Sequence, residues 1–160
     1  ARLVAFKTAA TFASEIIRNN IAKVKAIKHS QDITEKAIDE MDTQYHFIVL
    51  DRYVNYSATV NQNQNKDIFW VIYPSLRGGW CIYSVIFHGA NIDLISDQIK
   101  AEMEQDPNVT FIHPARFIAT FTTKEAAIEW GQRISMDFDM DMERVKAWSD
   151  LYDSVMSKEI

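Results

Sequence analysis

The stretch Ile68–Phe87, IFWVIYPSLRGGWCIYSVIF, decides the fold class of this chain. It contains two runs rich in β-branched and aromatic residues, Ile68–Tyr73 and Trp80–Phe87, and such residues favour β-strands. Between the runs, Pro74–Gly79 has the composition of a turn, so the stretch predicts an antiparallel hairpin at the centre of a sheet. Because neither run alternates between apolar and polar residues, we expect other elements to cover both faces of the hairpin.

The composition indicates one ordinary globular domain. The chain has 160 residues, 48% of them hydrophobic, with only four glycines and three prolines, and we predict a single domain over residues 1–160. A net charge of −5 gives no overall basic footprint for nucleic acid, and no apolar run approaches the length of a membrane span. The single cysteine, Cys81, cannot form an intramolecular disulfide, which favours a reducing compartment, and we predict a cytoplasmic location without a membrane partner.

The segments before the hairpin predict two helices, one strand and a loop. Apolar residues at steps of three and four indicate an amphipathic helix over residues 3–28. Asp32 and Glu35 resemble a capping box and predict the start of a second helix that packs antiparallel against the first. Phe47–Tyr53 predicts the first strand, and the Asn- and Gln-rich residues 55–67 are expected to form an exposed loop.

The segments after the hairpin predict a break at His88–Gly89 and then a helix marked by Ile92, Ile95, Ile99 and Met103. Residues 109–122 predict a second hairpin with its turn at Pro114–Ala115. Thr122 and Glu125 form a capping box at the start of another helix, and a last helix is expected from about Met142. The predicted fold is α+β: an antiparallel sheet of about five strands with helices packed on it, a long N-terminal helical pair and C-terminal helices.

The sequence shows no complete active site. Four alternating carboxylates have the look of a calcium loop: Asp137, Asp139, Asp141 and Glu143. However, Met142 and Trp148 stand where that loop requires Gly and Glu, so we interpret the cluster as an acidic connector at the start of a helix. The four histidines have no zinc-binding spacing, and we predict neither a metal site nor a catalytic residue in this chain.

Polar residues at the predicted strand ends are the candidates for ligand contact, because binding sites are often built on such loops. Arg77 lies in the first turn, His113 and Arg116 flank the second, and Lys124 lies in the first turn of the following helix, where an anion is favoured. The alternative for Arg116 is a solvated charge on an edge strand, and the alternative for Gly78–Gly79 is a hairpin turn that needs positive φ.

Several blocks occur in the same order as in a known family: Phe6-Lys7-x-Ala9, Ile48-Val49-Leu50, Phe69–Pro74 followed by Gly79-Trp80, and Phe111-Ile112-His113-x-x-x-Phe117-Ile118 followed by Thr123–Ala127. Over about residues 3–134 the chain resembles the C-terminal half of the melanocyte-proliferating-gene (Myg) exonuclease family. That family is a branch of the DHH phosphodiesterase superfamily.

The resemblance implies a hydrolase whose cleavage motifs and bound manganese lie in an N-terminal half that this chain lacks. The present chain would then be the substrate-side domain and would not catalyse hydrolysis alone. Its expected partners are that catalytic domain and the phosphates of RNA or nucleotides. The substrate-binding candidates are Arg77, Gly78, Gly79, His113, Arg116 and Lys124.

A different class of function stays open, namely a binding or oligomerisation module that keeps the fold without the chemistry. Family members usually carry two glycines and a histidine where this chain has Ala119-Thr120-Phe121. An apolar stripe near the C-terminus is also suited to a partner helix, as in a homodimer, or to closing the chain's own core. It consists of Val145, Trp148, Tyr152 and Val155.

Overall fold

A computed structural model gives the structure of the chain and describes residues 1–87, 90–91 and 95–158. Its helices are α1 (Arg2–Asp39), α2 (Ser57–Gln62), α3 (Asp97–Met103) and α4 (Lys124–Lys158), with a 3₁₀ turn at Gln64–Lys66. Its strands are β1 (Phe47–Val49), β2 (Trp70–Pro74), β3 (Trp80–Ser84), β4 (Ile86–Phe87), β5 (Ala90–Asn91), β6 (Val109–Ile112) and β7 (Ile118–Phe121). The predicted features at His88–Gly89 and Ile92 lie outside the described residues.

Five of the strands form one sheet in the order β1-β2-β3-β7-β6, which confirms the α+β class and the predicted hairpins. The sheet is mixed and not wholly antiparallel as predicted, because β1 pairs parallel with β2. A parallel pair needs a long crossover connection, and residues 50–69 supply it. The short strands β4 and β5 pair antiparallel with each other outside this sheet.

The N-terminal region is one helix of 38 residues, so the predicted helical pair is wrong. No Gly or Pro interrupts Arg2–Asp39, and nothing in the sequence therefore breaks the helix. The supposed capping residues form side-chain pairs one turn apart within it: Lys28 Nζ lies 3.5 Å from Asp32 Oδ1, and Gln31 Nε2 donates to Glu35 Oε1 at 3.0 Å. Such pairs support the interior of a helix.

The C-terminal region is likewise one helix, α4, so the predicted separate helix from about Met142 is wrong. The residue that caps the first turn of α4 is Thr123, one position after the predicted Thr122. Thr123 Oγ1 accepts a hydrogen bond from the backbone N–H of Ala126 at 3.1 Å, whereas Thr122 Oγ1 donates to Asn108 Oδ1. The four alternating carboxylates consequently lie inside a helix and not in a connector.

The Asn- and Gln-rich segment is not the exposed loop that its composition predicts. It forms α2 and the 3₁₀ turn, and Thr59 and Val60 are buried. The buried Val60 belongs to a core cluster that also contains Ala37 and Ile38 of α1. Tertiary packing therefore overrides a weak local preference in this segment.

Both faces of the sheet are covered at β1 and β2, in agreement with the lack of alternation in the central hairpin. Phe47, Trp70 and Ile72 face a core cluster that includes residues of α3 and α4. The intervening residues Ile48 and Val71 face a second cluster with the C-terminal end of α1 and with α2. Residues of β1 and β2 thus contact an apolar layer on each face, which explains their continuous apolar runs, whereas Phe111 of the edge strand β6 is 49% exposed.

Two buried polar side chains have no hydrogen-bond partner in the described part of the chain: the Trp70 indole N–H and the Ser84 hydroxyl. Trp70 and Ser84 are directly opposite on β2 and β3, so their side chains share one face of the sheet. A third buried polar residue, Ser135, differs because its Oγ donates to the Gly131 carbonyl at 2.9 Å and accepts from the His46 N–H at 3.2 Å.

We expect Ser84→Ala to leave the free energy of unfolding unchanged or to raise it, because the hydroxyl is buried without a partner. Ser135→Ala is the matched control and should lower it by about 1 to 3 kcal/mol, since it leaves the His46 N–H unsatisfied. Urea unfolding followed by circular dichroism measures both. A loss at Ser84 as large as that at Ser135 would show that the Ser84 hydroxyl is satisfied.

Candidate functional site

The six predicted substrate-binding residues lie at two opposite ends of the sheet. In the β3–β7 pair, Trp80 lies opposite Phe121 and Tyr83 lies opposite Ile118. The turn that precedes Trp80 is therefore at the end of the sheet where β7 finishes, and the turn that precedes Ile118 is at the end where β7 begins. At about 3.3 Å per residue, roughly 10 Å of strand separates the two turns.

At the first end, Ser75–Gly79 forms a tight turn between β2 and β3. The backbone N–H of Gly78 donates to the Ser75 carbonyl at 3.1 Å, and the N–H of Ser75 donates to the Gly79 carbonyl at 2.9 Å. Gly78 and Gly79 have φ of 98° and 70°, a region that other residues rarely adopt. The two glycines are thus required by the turn itself.

Gly79 has a second role, because the turn packs directly against the end of β7. A Cβ atom at Gly79 would overlap the backbone carbonyl oxygen of Phe121, whereas a Cβ at Gly78 would meet no atom within 4 Å. The absence of a side chain at Gly79 therefore brings the first turn against the residues that lead into α4.

Lys124 is at the same end of the sheet as this turn. Its ammonium lies 3.0 Å from Asp51 Oδ1 and 5.4 Å from the centre of the Trp80 ring. Asp51 follows β1, so the ion pair joins the start of α4 to the parallel edge of the sheet. The Arg77 side chain is exposed in the adjacent turn. Arg77, Gly78, Gly79 and Lys124 thus form the first group of candidates.

Lys124 also lines a groove of about 330 Å³, and the lining of this groove has a net negative charge. Glu40, Asp42 and Asp51 line it, with Lys124 as the cationic side chain of the lining. Hydrogen bonds from the side chain and the backbone N–H of Gln44 lower the pKa of Asp42, so that carboxylate stays ionised. The groove therefore disfavours an anionic ligand, and the first turn, whose Arg77 does not line the groove, is the more favourable place for phosphate.

At the second end, His113 and Arg116 are held by neighbouring parts of the chain. The backbone N–H of Ala115 donates to His113 Nδ1 at 2.9 Å, and the ring of Phe117 lies 4.2 Å from the His113 ring. Arg116 has φ of 60°, which makes the turn tight at this position.

The Arg116 guanidinium links the second turn to the start of α3 and to the residues just before it. Nη1 donates to the Ile95 carbonyl at 3.0 Å, and Nη2 lies 2.7 Å from Asp97 Oδ1. The Arg116 side chain is only 25% exposed, so Arg116 is also not a solvated charge on an edge strand. A phosphate at this position would have to displace Asp97.

Local sequence patterns do not reveal a partly buried pair in which His46, the residue before β1, contacts the middle of α4. His46 Nε2 lies 2.6 Å from Asp139 Oδ1, and Nδ1 lies 3.1 Å from the carbonyl oxygen of Asp67. The rings of Phe69 and Phe138 lie 4.8 and 5.9 Å from the imidazole ring. His46 and Asp139 are 93 residues apart, and no local pattern connects them.

Two further observations concern the reactive side chains among the described residues. Burial raises the pKa of the Cys81 thiol, which keeps it neutral and a poor nucleophile. Within residues 1–87, 90–91 and 95–158, no three His, Cys, Asp or Glu side chains converge closely enough to hold a metal ion. These residues do not fit a manganese site, and we assign no reaction step to a metal in this chain.

None of the helices in the described ranges combines the length and the apolar composition that crossing a membrane requires.

Apart from Phe6-Lys7-x-Ala9, which lies in α1, the blocks quoted from the sequence lie along the neighbouring strands β1, β2, β3, β7 and β6 and in the first turn of α4. They belong to an α+β domain built on a mixed five-stranded sheet. The sequence model of the MYG1_exonuc family, described as an uncharacterised protein family (UPF0160), matches residues 2–134. The chain belongs to this Myg exonuclease family. Comparisons with curated proteins and with solved structures return no match.

We expect Gly79→Ala to destabilise the fold far more than Gly78→Ala. Both substitutions place alanine at positive φ, which costs about 1 to 2 kcal/mol. At Gly79 the new methyl group also meets a backbone oxygen that cannot rotate away, so we expect a total loss above about 3 kcal/mol. Denaturant unfolding of the two variants measures the difference. Equal losses would mean that β7 moves easily away from the turn.

Proposed function

We propose that this chain is the substrate-binding, non-catalytic part of a metal-dependent DHH-type exonuclease or phosphodiesterase. The observation that carries the proposal is the family match over residues 2–134, which spans α1, the whole sheet and the first turns of α4. The resemblance assigns manganese and the cleaving residues to a preceding catalytic domain, which would be the partner of this chain. The buried, unpaired Cys81 supports a reducing location such as the cytoplasm.

The proposed phosphate site is the first turn, whose Arg77 lies outside the lining of the acidic groove. Arg77 is exposed there, and a guanidinium can bind two phosphate oxygens with parallel hydrogen bonds. Lys124, although paired with Asp51, adds a second cation at the start of a helix. Half-buried Trp80, beside Lys124, offers an aromatic surface on which a base of single-stranded RNA can stack.

The second turn supports phosphate binding less well. The Arg116 guanidinium already has the Ile95 carbonyl and the Asp97 carboxylate as partners. His113 Nδ1 is occupied by the backbone N–H of Ala115. Both residues are therefore assigned to the shape of the turn, and Arg116 becomes a matched control for Arg77.

Binding of a short single-stranded RNA at low salt tests the site. Arg77→Ala should weaken binding by about 10- to 100-fold, which corresponds to about 1.5 to 3 kcal/mol for hydrogen bonds to a charged group. Arg116→Ala removes the same charge at the opposite end and should change affinity by less than about threefold. Fluorescence anisotropy with a labelled RNA measures both. A larger effect at Arg116 would move the site to the second turn.

The chain alone should not hydrolyse nucleotides or short RNA when manganese is added. The described residues present no general base held beside a nucleophile, and the resemblance assigns the metal to the other domain. Gel analysis of labelled RNA after long incubation checks this expectation. Turnover that survives purification and disappears in His113→Ala would contradict it.

A second candidate function is a binding or assembly module that has lost substrate binding. The observation in its favour is that Ala119 and Phe121, at the positions where relatives usually have glycine and histidine, are only 1% exposed. Phe121 is part of the sheet core and offers no hydrogen-bond donor to a ligand. Absence of RNA binding by the wild-type chain would favour this second function over the first.

A further inference from the structure

The first 27 residues of α1, residues 2–28, form an N-terminal arm that the rest of the chain does not cover. Every residue of the arm is exposed, whereas Thr34, Ala37 and Ile38 further along the same helix are buried. At 1.5 Å per residue the arm is about 40 Å long. Nine of its large apolar side chains, including Phe6, Ile17, Val24 and Ile27, are 45–70% exposed.

One series of mostly apolar residues along the arm has the spacing of a helix that packs along another helix. From Phe6 to Ile27, steps of four and three residues alternate through Ala10, Ala13, Ile17, Asn20 and Val24. Alternating steps of this kind keep one seam facing a partner helix, as in a coiled coil. Asn20 is the polar residue of the seam, and such a residue selects one register of pairing.

The charge of the arm indicates what kind of helix covers it. The arm carries six basic residues, Arg2, Lys7, Arg18, Lys23, Lys25 and Lys28, against the single acidic residue Glu15. Its net charge is therefore +5, so two arms side by side would repel each other. A nucleic acid would neutralise the lysines but would leave the apolar seam in water. A helix that carries both carboxylates and exposed apolar side chains would pair with the basic residues and also cover the apolar seam.

The distal part of α4, residues 136–158, has these properties in the same chain. It contains six carboxylates and three basic residues, a net charge of −3. Met136, Met140, Met142, Val155 and Met156 are 46–58% exposed on it. Methionine side chains adapt to irregular partner surfaces. The distal part is 23 residues long, about 35 Å, and nearly matches the arm in length.

We propose that two copies of the chain associate by packing the arm of each copy on the distal part of α4 of the other. A two-fold axis then repeats the contact, and each basic arm meets an acidic partner. At roughly 100 Å² per buried large apolar side chain, the arm alone supplies several hundred Å². The distal part of α4 adds its own share, so each copy approaches the roughly 800 Å² of a stable interface. This dimer does not depend on the proposed substrate site.

Sedimentation equilibrium over a range of concentrations tests the dimer with a matched pair of double variants. Ile17→Glu with Val24→Glu places two charges in the seam and should weaken association by about tenfold or more, because both charges would lose water. Thr11→Glu with Ala22→Glu adds the same charges on the opposite side of the arm and should have a much smaller effect. All four positions are exposed, so neither variant perturbs the core.

Charge reversal identifies the partner helix. Lys7→Glu with Lys23→Glu in the arm, or Glu143→Lys with Asp150→Lys in α4, should each weaken self-association. Mixing the two reversed chains should restore it, because both contacts of the mixed dimer then pair opposite charges. A wild-type chain that is monomeric at every concentration would overturn the proposal. So would an α4 reversal without effect, which is the result expected if arms paired with arms or with another protein.

Discussion

The pairing of β3 with β7 is the constraint on which the rest of the molecule depends. β3 also pairs with β2, so this one strand joins the central hairpin to the second hairpin. Because α4 begins three residues after β7, the β3–β7 register also sets where α4 crosses the sheet. At the crossing, Gly131 lets α4 approach closely, since a Cβ there would lie 3.0 Å from Ile72 Cδ1 and 3.2 Å from Phe47 Cε1.

Local sequence signals predicted the elements that are defined locally. Both hairpins were recognised because their strands are adjacent in sequence and their turns contain residues suited to tight bends. The predicted helix boundaries at Asp32 and Met142 are wrong because polar residues alone do not end a helix, and no Gly or Pro lies next to either position. The parallel edge of the sheet was missed because the crossover through residues 50–69 contains a helix whose composition resembles a loop.

The candidate site was predictable in its residue types but not in its geometry. Polar residues at strand ends are visible in sequence, yet only the strand register shows that Arg77 and Arg116 lie at opposite ends of the sheet. The contacts of these side chains cannot be read from the sequence either, because their partners are distant in the chain. The partner of the Arg116 guanidinium, the Ile95 carbonyl, is 21 residues away, and the partner of His46, Asp139, is 93 residues away. Contacts at such separations follow from the fold and leave no local pattern.

Charge is distributed unevenly along the chain, and this distribution affects which charged ligands the chain can bind. The whole chain carries −5 and the arm carries +5, so residues outside the arm carry −10. A phosphate that approaches the sheet meets an overall negative surface and must be held by local contacts, as Arg77 beside Lys124 offers. The arm is the strongly basic part of the chain, but the acidic distal part of α4 packed on it would offset three of its five positive charges. Whether the arm is covered therefore decides how much electrostatic attraction the chain retains for a polyanion.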